Sequence, residues 1–236
     1  MTNPGTSVPA TNFFAIRPRM SRGQKIVGAV VAAWLWACAA RPAIAAEPAE
    51  PAVTRLPVVI HMAAANDRPV QDAAWLKAEL DAANTLLGQA GIGVEVGQVP
   101  LDAIHARLEN RDDRDALATE RTTGHIDVFI VASLRDVDDP TQYRRGVHWR
   151  NRKHRAQRYV IVSAVAGPSV LAHELGHYLG NGHSQVVDNV MSYKREDPTK
   201  LFFDEGQKKT MRRAAAELVR RGFKVSGDTR TPTDRR

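Results

Sequence analysis

The segment LAHELGHYLGNGHSQVVDNVMSY, from Leu171 to Tyr193, constrains the fold of this chain more than any other. Three histidines, His173, His177 and His183, fall within eleven residues, with Glu174 beside the first and Gly180 between the second and third. Leu171, Leu175, Tyr178 and Leu179 recur at helical spacing, so the first half predicts a helix with an apolar side. Pro168 and Ser169 supply the chemistry of a helix start. Residues four apart on a helix lie one above the other, so His173 and His177 aim their imidazoles at one point. A straight helix would carry His183 away from that point. Glycine adopts φ > 0 without penalty, so Gly180 predicts an abrupt stop, after which the turn GNGH swings His183 back.

Neutral imidazole is a good zinc ligand, and three protein nitrogens leave one position open, the arrangement of a catalytic rather than a structural ion. Glu174 lies one step round the helix from His173, within reach of water at the metal rather than of the metal itself. Zinc lowers the pKa of such water to about 7, so a carboxylate can take its proton at neutral pH. A bare HExxH occurs by chance, but the pattern H-E-x-x-H-x-x-G-x-x-H fixes five positions of eleven in a helix-then-turn context.

With these residues in hand, the sequence resembles the metzincin zinc peptidases. HELGHYLGNGH matches their zinc-binding consensus, and NVMSY, with Met191 eight residues past His183, is similar to their Met-turn. The short spacing and Ser184 resemble the matrixin branch, whereas Tyr193 resembles the astacin and serralysin branches. The resemblance implies zinc at His173, His177 and His183, Glu174 as general base and proton shuttle, and Met191 as an apolar floor. It implies that Tyr193 hydrogen-bonds the tetrahedral oxyanion. It further implies an edge strand above the cleft, where RGVHW falls, so Gly146, Val147 and His148 are expected to bind an extended peptide. No cysteine switch and no long propeptide stand between leader and domain, so latency would need another device. Without the resemblance, Met191 and Tyr193 read as ordinary core or surface residues.

The formal charge is +7, from 33 basic and 26 acidic side chains. Arg17, Arg19, Arg22, Lys25 and Arg41 lie in residues 1–45, which hold no acid; without those five the balance is 28 against 26, a net of +2. The excess therefore belongs to a targeting segment and gives no reason to expect a nucleic-acid partner. IVGAVVAAWLWACAA, from Ile26 to Ala40, is short for a membrane span, and Ala43-Ile44-Ala45 fits a signal-peptidase site. Residues 1–45 are expected to be a signal peptide, in which residues 1–19 read either as an upstream mis-start, with the true start at Met20, or as an unusually long n-region; a retained membrane or lipid anchor is the alternative. The single cysteine, Cys38, lies inside it, so the exported chain has no disulfide, thiol nucleophile or cysteine ligand.

Residues 46–56 read as a flexible Pro-rich lead-in, 57–224 as one catalytic domain divided at His183, and 225–236 as a disordered tail. PVVIHM, IGVEVGQV, HIDVFIVASL (His125–Leu134) and RYVIVSAV (Arg158–Val165) predict strands. Val70–Gly91 predicts a helix ending at Gly88 or Gly91, Asp102–Gly124 a helix plus loop, and Glu205–Arg221 a helix capped by Asp204 and stopped by Gly222. The order predicts a mixed α/β (α+β) fold with one sheet backed by two long helices; the metzincin resemblance implies the zincin fold, with a twisted mixed sheet and a small C-terminal subdomain.

Seven Arg and Lys and no acid occupy Tyr143–Arg158. They suit a basic rim favouring acidic substrate residues, or equally a charged loop guarding an exposed strand edge. His148 and His154 suggest a second metal, and RDVDDP (Arg135–Pro140) a calcium loop, although acid-rich loops are commonplace. The expected function is an exported, monomeric zinc endopeptidase acting on protein or peptide substrates, with no stable membrane span. Two alternatives stay open: a zinc amidase acting on cell-wall peptides, and a polyanion-binding protein with a structural zinc.

Overall fold

The computed structural model describes residues 53–223; the expected leader, most of the lead-in and the tail lie outside the described residues. In chain order the elements are β1 (Thr54–Ala65), β2 (Arg68–Pro69), α1 (Ala73–Gly88), β3 (Ile92–Leu101), β4 (Arg107–Leu108), α2 (Arg111–Ala116), β5 (Ile126–Val131), β6 (Ser133–Leu134), β7 (Gly146–Arg150), β8 (Arg158–Ser163), α3 (Val170–Tyr178) and α4 (Glu205–Arg220). The main sheet runs β3-β1-β5-β8-β7, with β2 folding back on the end of β1. β3, β1, β5 and β8 are parallel, and β7 closes the sheet as an antiparallel edge paired with β8 from Gly146↔Val162 to Arg150↔Arg158. The mixed α/β reading is therefore met.

Alternation along the strands divides the core into two layers. Val58, Ile60, Ile126, Val128, Val160 and Val162 face the helices, meeting Leu87 of α1, Leu171 and Leu175 of α3 and Met211 of α4. Phe129, Val131, Tyr159, Ile161 and Trp149 face the other way, against Leu108 and Leu117 from the polar connection after β3 and Leu134 of β6. Among the described residues no helix is long and apolar enough to cross a membrane.

Local chemistry accounts for most helix ends. Asp72 accepts from Trp75 N–H at 2.7 Å to open α1, and Asp204 with Gln207 forms a capping box on α4. Gly222, at φ +93°, follows α4 as expected. Ser169 does sit at the N-cap of α3, but its side chain caps nothing; its carbonyl accepts from His173 N–H. The Leu171 N–H instead lies 3.4 Å from Glu79 Oε2, so a buried carboxyl from α1 serves the first turn of α3.

Three expectations need correction. β1 begins at Thr54, three residues inside the expected lead-in, because Thr54, Arg55 and Leu56 pair with Ile92, Gly93 and Val94. His125–Leu134 is not one strand: the chain leaves the main sheet at Ala132, where Ala132 and Ser133 N–H both donate to Ala106 O, and β6 pairs with β4. Asp102–Gly124 holds the short strand β4 as well as the short α2 and single turns of 3-10 helix at Ala103–His105 and Leu117–Glu120.

Burial raises the Glu79 pKa to about 7, well above the 4.5 of an ordinary glutamate. Between those values the folded chain holds a proton that the unfolded chain has lost, so this group's contribution falls as pH rises from 4.5 through 7 and then levels off. Glu79→Gln removes that titration. Chemical unfolding of variant and parent at pH 5 and pH 8 is expected to show the parent losing on the order of 2 kcal/mol more stability over the interval. Equal losses would show that Glu79 keeps an ordinary pKa.

Candidate metal centre and active-site cleft

Helix α3 ends as the glycine requires. Gly180 takes φ +99°, its N–H donates to His177 O at 3.0 Å, and Asn181 N–H reaches back to Gly176 O at 3.0 Å. That pair of bonds is the Schellman ending of a helix. The chain then turns, and His183 Nε2 comes to 3.1 Å from His177 Nε2, which is itself 3.1 Å from His173 Nε2. Three imidazoles from helix and turn thus converge.

Second partners fix the protons. His173 Nδ1 lies 2.7 Å from Val190 O and His177 Nδ1 lies 2.8 Å from Asn181 O. A carbonyl can only accept, so each Nδ1 carries the hydrogen and each Nε2 turns a lone pair to the common point. Burial lowers the His173 pKa to about 4 and lowers that of His177, which keeps both rings neutral. Lone pairs 3.1 Å apart repel unless a cation lies between them. Zn–N bonds of about 2.0–2.1 Å at tetrahedral angles separate ligand nitrogens by roughly 3.3 Å, so the triad fits zinc. It is the one group of three or more such side chains that converges among the described residues.

Glu174 lies beside the triad, buried, and loss of solvent raises its pKa to about 8. Its neighbour is Gly146 on the edge strand: a Cβ there would stand 2.9 Å from Glu174 Cγ and Oε1 and 2.6 Å from Val170 Cγ1. The absence of a side chain at position 146 is what lets β7 close over the carboxyl.

Met191 is fully buried, its Sδ occupying the space where a side chain at Gly176 would be. The turn that carries it is set by Asn189, whose Oδ1 accepts from Met191 N–H at 2.8 Å and whose amide exchanges hydrogen bonds with Gln207 of α4. Tyr193 is largely exposed, with its hydroxyl 2.8 Å from His183 Nε2. Asn189, Gly176 and Gln207 were not predicted as part of this centre. The exposed Tyr193 hydroxyl and the His183 ring leave one side of the centre open.

Cavities of about 390 and 320 Å³ meet at this centre, both bordered by His173, Glu174, Gly146, Arg144 and Tyr193. The second runs along β7, which is paired within the sheet only to β8. Val147 packs into the core layer beyond the sheet and the His148 ring packs edge-on to Tyr178, so these side chains face inward. Burial also takes the His148 pKa down to about 3. The part of β7 left to meet a ligand is its backbone edge.

Two expectations fail here. His148 and His154 do not come together in any cluster among the described residues. The RDVDDP carboxylates do not converge either: Asp136 pairs with Arg144, Asp138 with Arg111, and Asp139 accepts from Thr141 and Gln142. No calcium loop forms.

No protein-family model matches the sequence, and no curated protein matches it. Solved structures do. Mature mirolysin of Tannerella forsythia, in complex with a cleaved peptide, superposes with a TM-score of 0.54 at 11% identity, covering 75% of this chain and all (100%) of that one. Promirolysin of the same organism gives a TM-score of 0.53 at 10% identity, over 74% of this chain and 83% of that one. The likeness is one of fold: this chain shares its architecture with mirolysin.

Gly180 gives this centre its simplest test. A β-carbon at φ +99° strains the backbone, and relief of that strain moves His183. Gly180→Ala is expected to weaken zinc binding about 10- to 100-fold in a chelator competition; an unchanged affinity would mean that His183 does not depend on this turn.

Proposed function

We propose that the chain is an exported zinc endopeptidase, in which His173, His177 and His183 hold the ion and Glu174 moves the proton. The observation that carries this reading is the convergence of three Nε2 atoms beside a buried carboxyl, in a cleft bordered by an edge strand. The cleaved peptide bound to mirolysin, on the same fold, supports a peptide as the substrate class.

Zinc, when bound, supplies Lewis acidity toward a carbonyl oxygen and makes water acidic near neutral pH. The remaining work falls to this chain. An extended substrate adds to the free edge of β7 by main-chain hydrogen bonds, which suits a strand whose side chains at Val147 and His148 face inward. Glu174 accepts a proton from the attacking water at a carboxylate oxygen and delivers it to the departing amine nitrogen. Tyr193, its hydroxyl at the open side of the triad, donates to the oxyanion of the tetrahedral intermediate. Met191 and Asn189 hold the Val190 carbonyl, and through it the His173 ring.

The polyanion-binding alternative needs a free basic surface. Two of the seven cations of the basic stretch are engaged: Arg144 pairs with Asp136, and Arg152 with both Asp112 and Asp115. A structural ion would also have no use for Glu174.

Glu174→Ala is expected to lower cleavage of a peptide library by about 100- to 10,000-fold, with zinc content held near one per chain. Undiminished cleavage would remove Glu174 from the mechanism. Incubating the parent with peptidoglycan fragments in parallel distinguishes a protein peptidase from a cell-wall amidase. Tyr193→Phe is expected to lower kcat about 100-fold with little change in KM, the signature of a bond made only in the transition state. A rise in KM alone would make Tyr193 a binding residue.

A further inference from the structure

The 390 Å³ cavity beside His173 and Glu174 has a charge character that the histidine motif does not determine. Arg195 lines it, four residues past Met191, and is half-buried. Its Nη2 donates to Val190 O at 3.0 Å, whereas its Nη1 is buried without a partner. Among the described residues Arg195 forms no ion pair. Asp188, the carboxylate that acts on it electrostatically, is already accepting from the Glu196 and Asp197 N–H groups at 2.7 and 3.0 Å. Arg145 borders the same cavity and likewise pairs with no acid among the described residues, while Arg144 is held by Asp136 at 2.6 Å. Glu174 is the only carboxyl among the lining residues; Ser169 and Ser192 are neutral, and Val170, Pro198 and Leu201 form the apolar part of the wall.

A guanidinium taken partly out of water, with a donor unpartnered and no carboxylate in contact, is costly until an anion meets it. A substrate carboxylate entering the cavity supplies that anion as well as the missing hydrogen-bond acceptors. We propose that Arg195 selects peptides carrying Asp or Glu at a position flanking the cleaved bond, with Arg145 adding to the field at the cavity mouth. The proposal rests on the peptidase reading above for the location of the cut bond, and on the cavity itself for the charge preference.

The test uses the full-length, zinc-loaded protein and matched peptides in which each flanking position carries Glu, Gln or Lys. The parent is expected to favour Glu over Gln by about tenfold or more in kcat/KM at one flanking position, and to reject Lys. In Arg195→Gln the Glu-to-Gln ratio is expected to collapse toward one. Arg195→Lys, which keeps the charge without the fork, should retain an intermediate ratio and serves where the glutamine variant does not fold. Because each ratio is internal to one protein, a general loss of activity or zinc cancels. Binding of the same fluorescent peptides to zinc-loaded Glu174→Ala, followed by anisotropy, reads the preference without cleavage. A parent ratio near one, a ratio unchanged in Arg195→Gln, or equal binding of the Glu and Gln peptides would overturn the proposal. Acid-selective binding with no peptide cleaved by the parent would overturn the peptidase reading and leave Arg195 as an anion-selecting residue.

Discussion

Two hydrogen bonds on the outer side of the imidazoles govern this structure: His173 Nδ1–H to Val190 O and His177 Nδ1–H to Asn181 O. Each fixes a tautomer and a ring orientation, and together they force unprotonated nitrogens to face one another at 3.1 Å. Left alone, neutral rings would turn such lone pairs toward donors or water. They do not, because the carbonyls come from rigid places: one from the Asn189-stapled turn, the other from the residue that completes the helix ending at Gly180. The repulsion among lone pairs is thus held by the fold in advance, and a cation relieves it on arrival.

The same logic governs the carboxyl. Glu174 is buried because β7 approaches α3 at a glycine, and burial alone raises its pKa to about 8. A bound dication would favour the carboxylate and oppose that shift, so the balance of the two sets how readily Glu174 takes and returns a proton. Gly146 is therefore a steric determinant of the acid–base group, although it contributes no functional atom. An edge strand, a helix and a missing β-carbon act here as one unit.

What could be read in the sequence follows from what is local. The helix over α3, its break at Gly180, the return of His183 and the cap at Asp204 depend on residues within a few positions of one another, and all are present. Buried strands were legible from apolar runs, but such a run cannot reveal a change of sheet. HIDVFIVASL stays apolar through Leu134 because Leu134 enters the second core layer after the chain has left β5. Contacts between distant segments left no periodic trace. Gly176 against Met191, Gly146 against Glu174, Asn189 with Gln207 and Glu79 at the first turn of α3 join residues 15 to 92 apart in sequence, and each uses a residue type that is unremarkable alone. The acids of RDVDDP misled for the complementary reason, since a carboxylate's partner, whether arginine or metal, is a tertiary fact.

That last point bears on how charge is used across the molecule. Composition ascribed the basic stretch before β8 a single role, rim or solvated loop, but the structure divides it. Arg144 and Arg152 are engaged by Asp136, Asp112 and Asp115, where they help tie the segments flanking β7 to the body of the domain. Trp149 Nε1–H donates to the same Asp115 at 2.8 Å, so the cation at position 152 and the edge strand share one anchor. Cations used in this way position the strand but exert little field in the cleft, because their charge is cancelled nearby. The field in the cleft comes from cations without partners, and one of them, Arg195, lies outside the basic stretch altogether, in a segment whose sequence is mixed in sign. Selectivity in such a site depends less on how many arginines surround it than on which of them the fold leaves unneutralised.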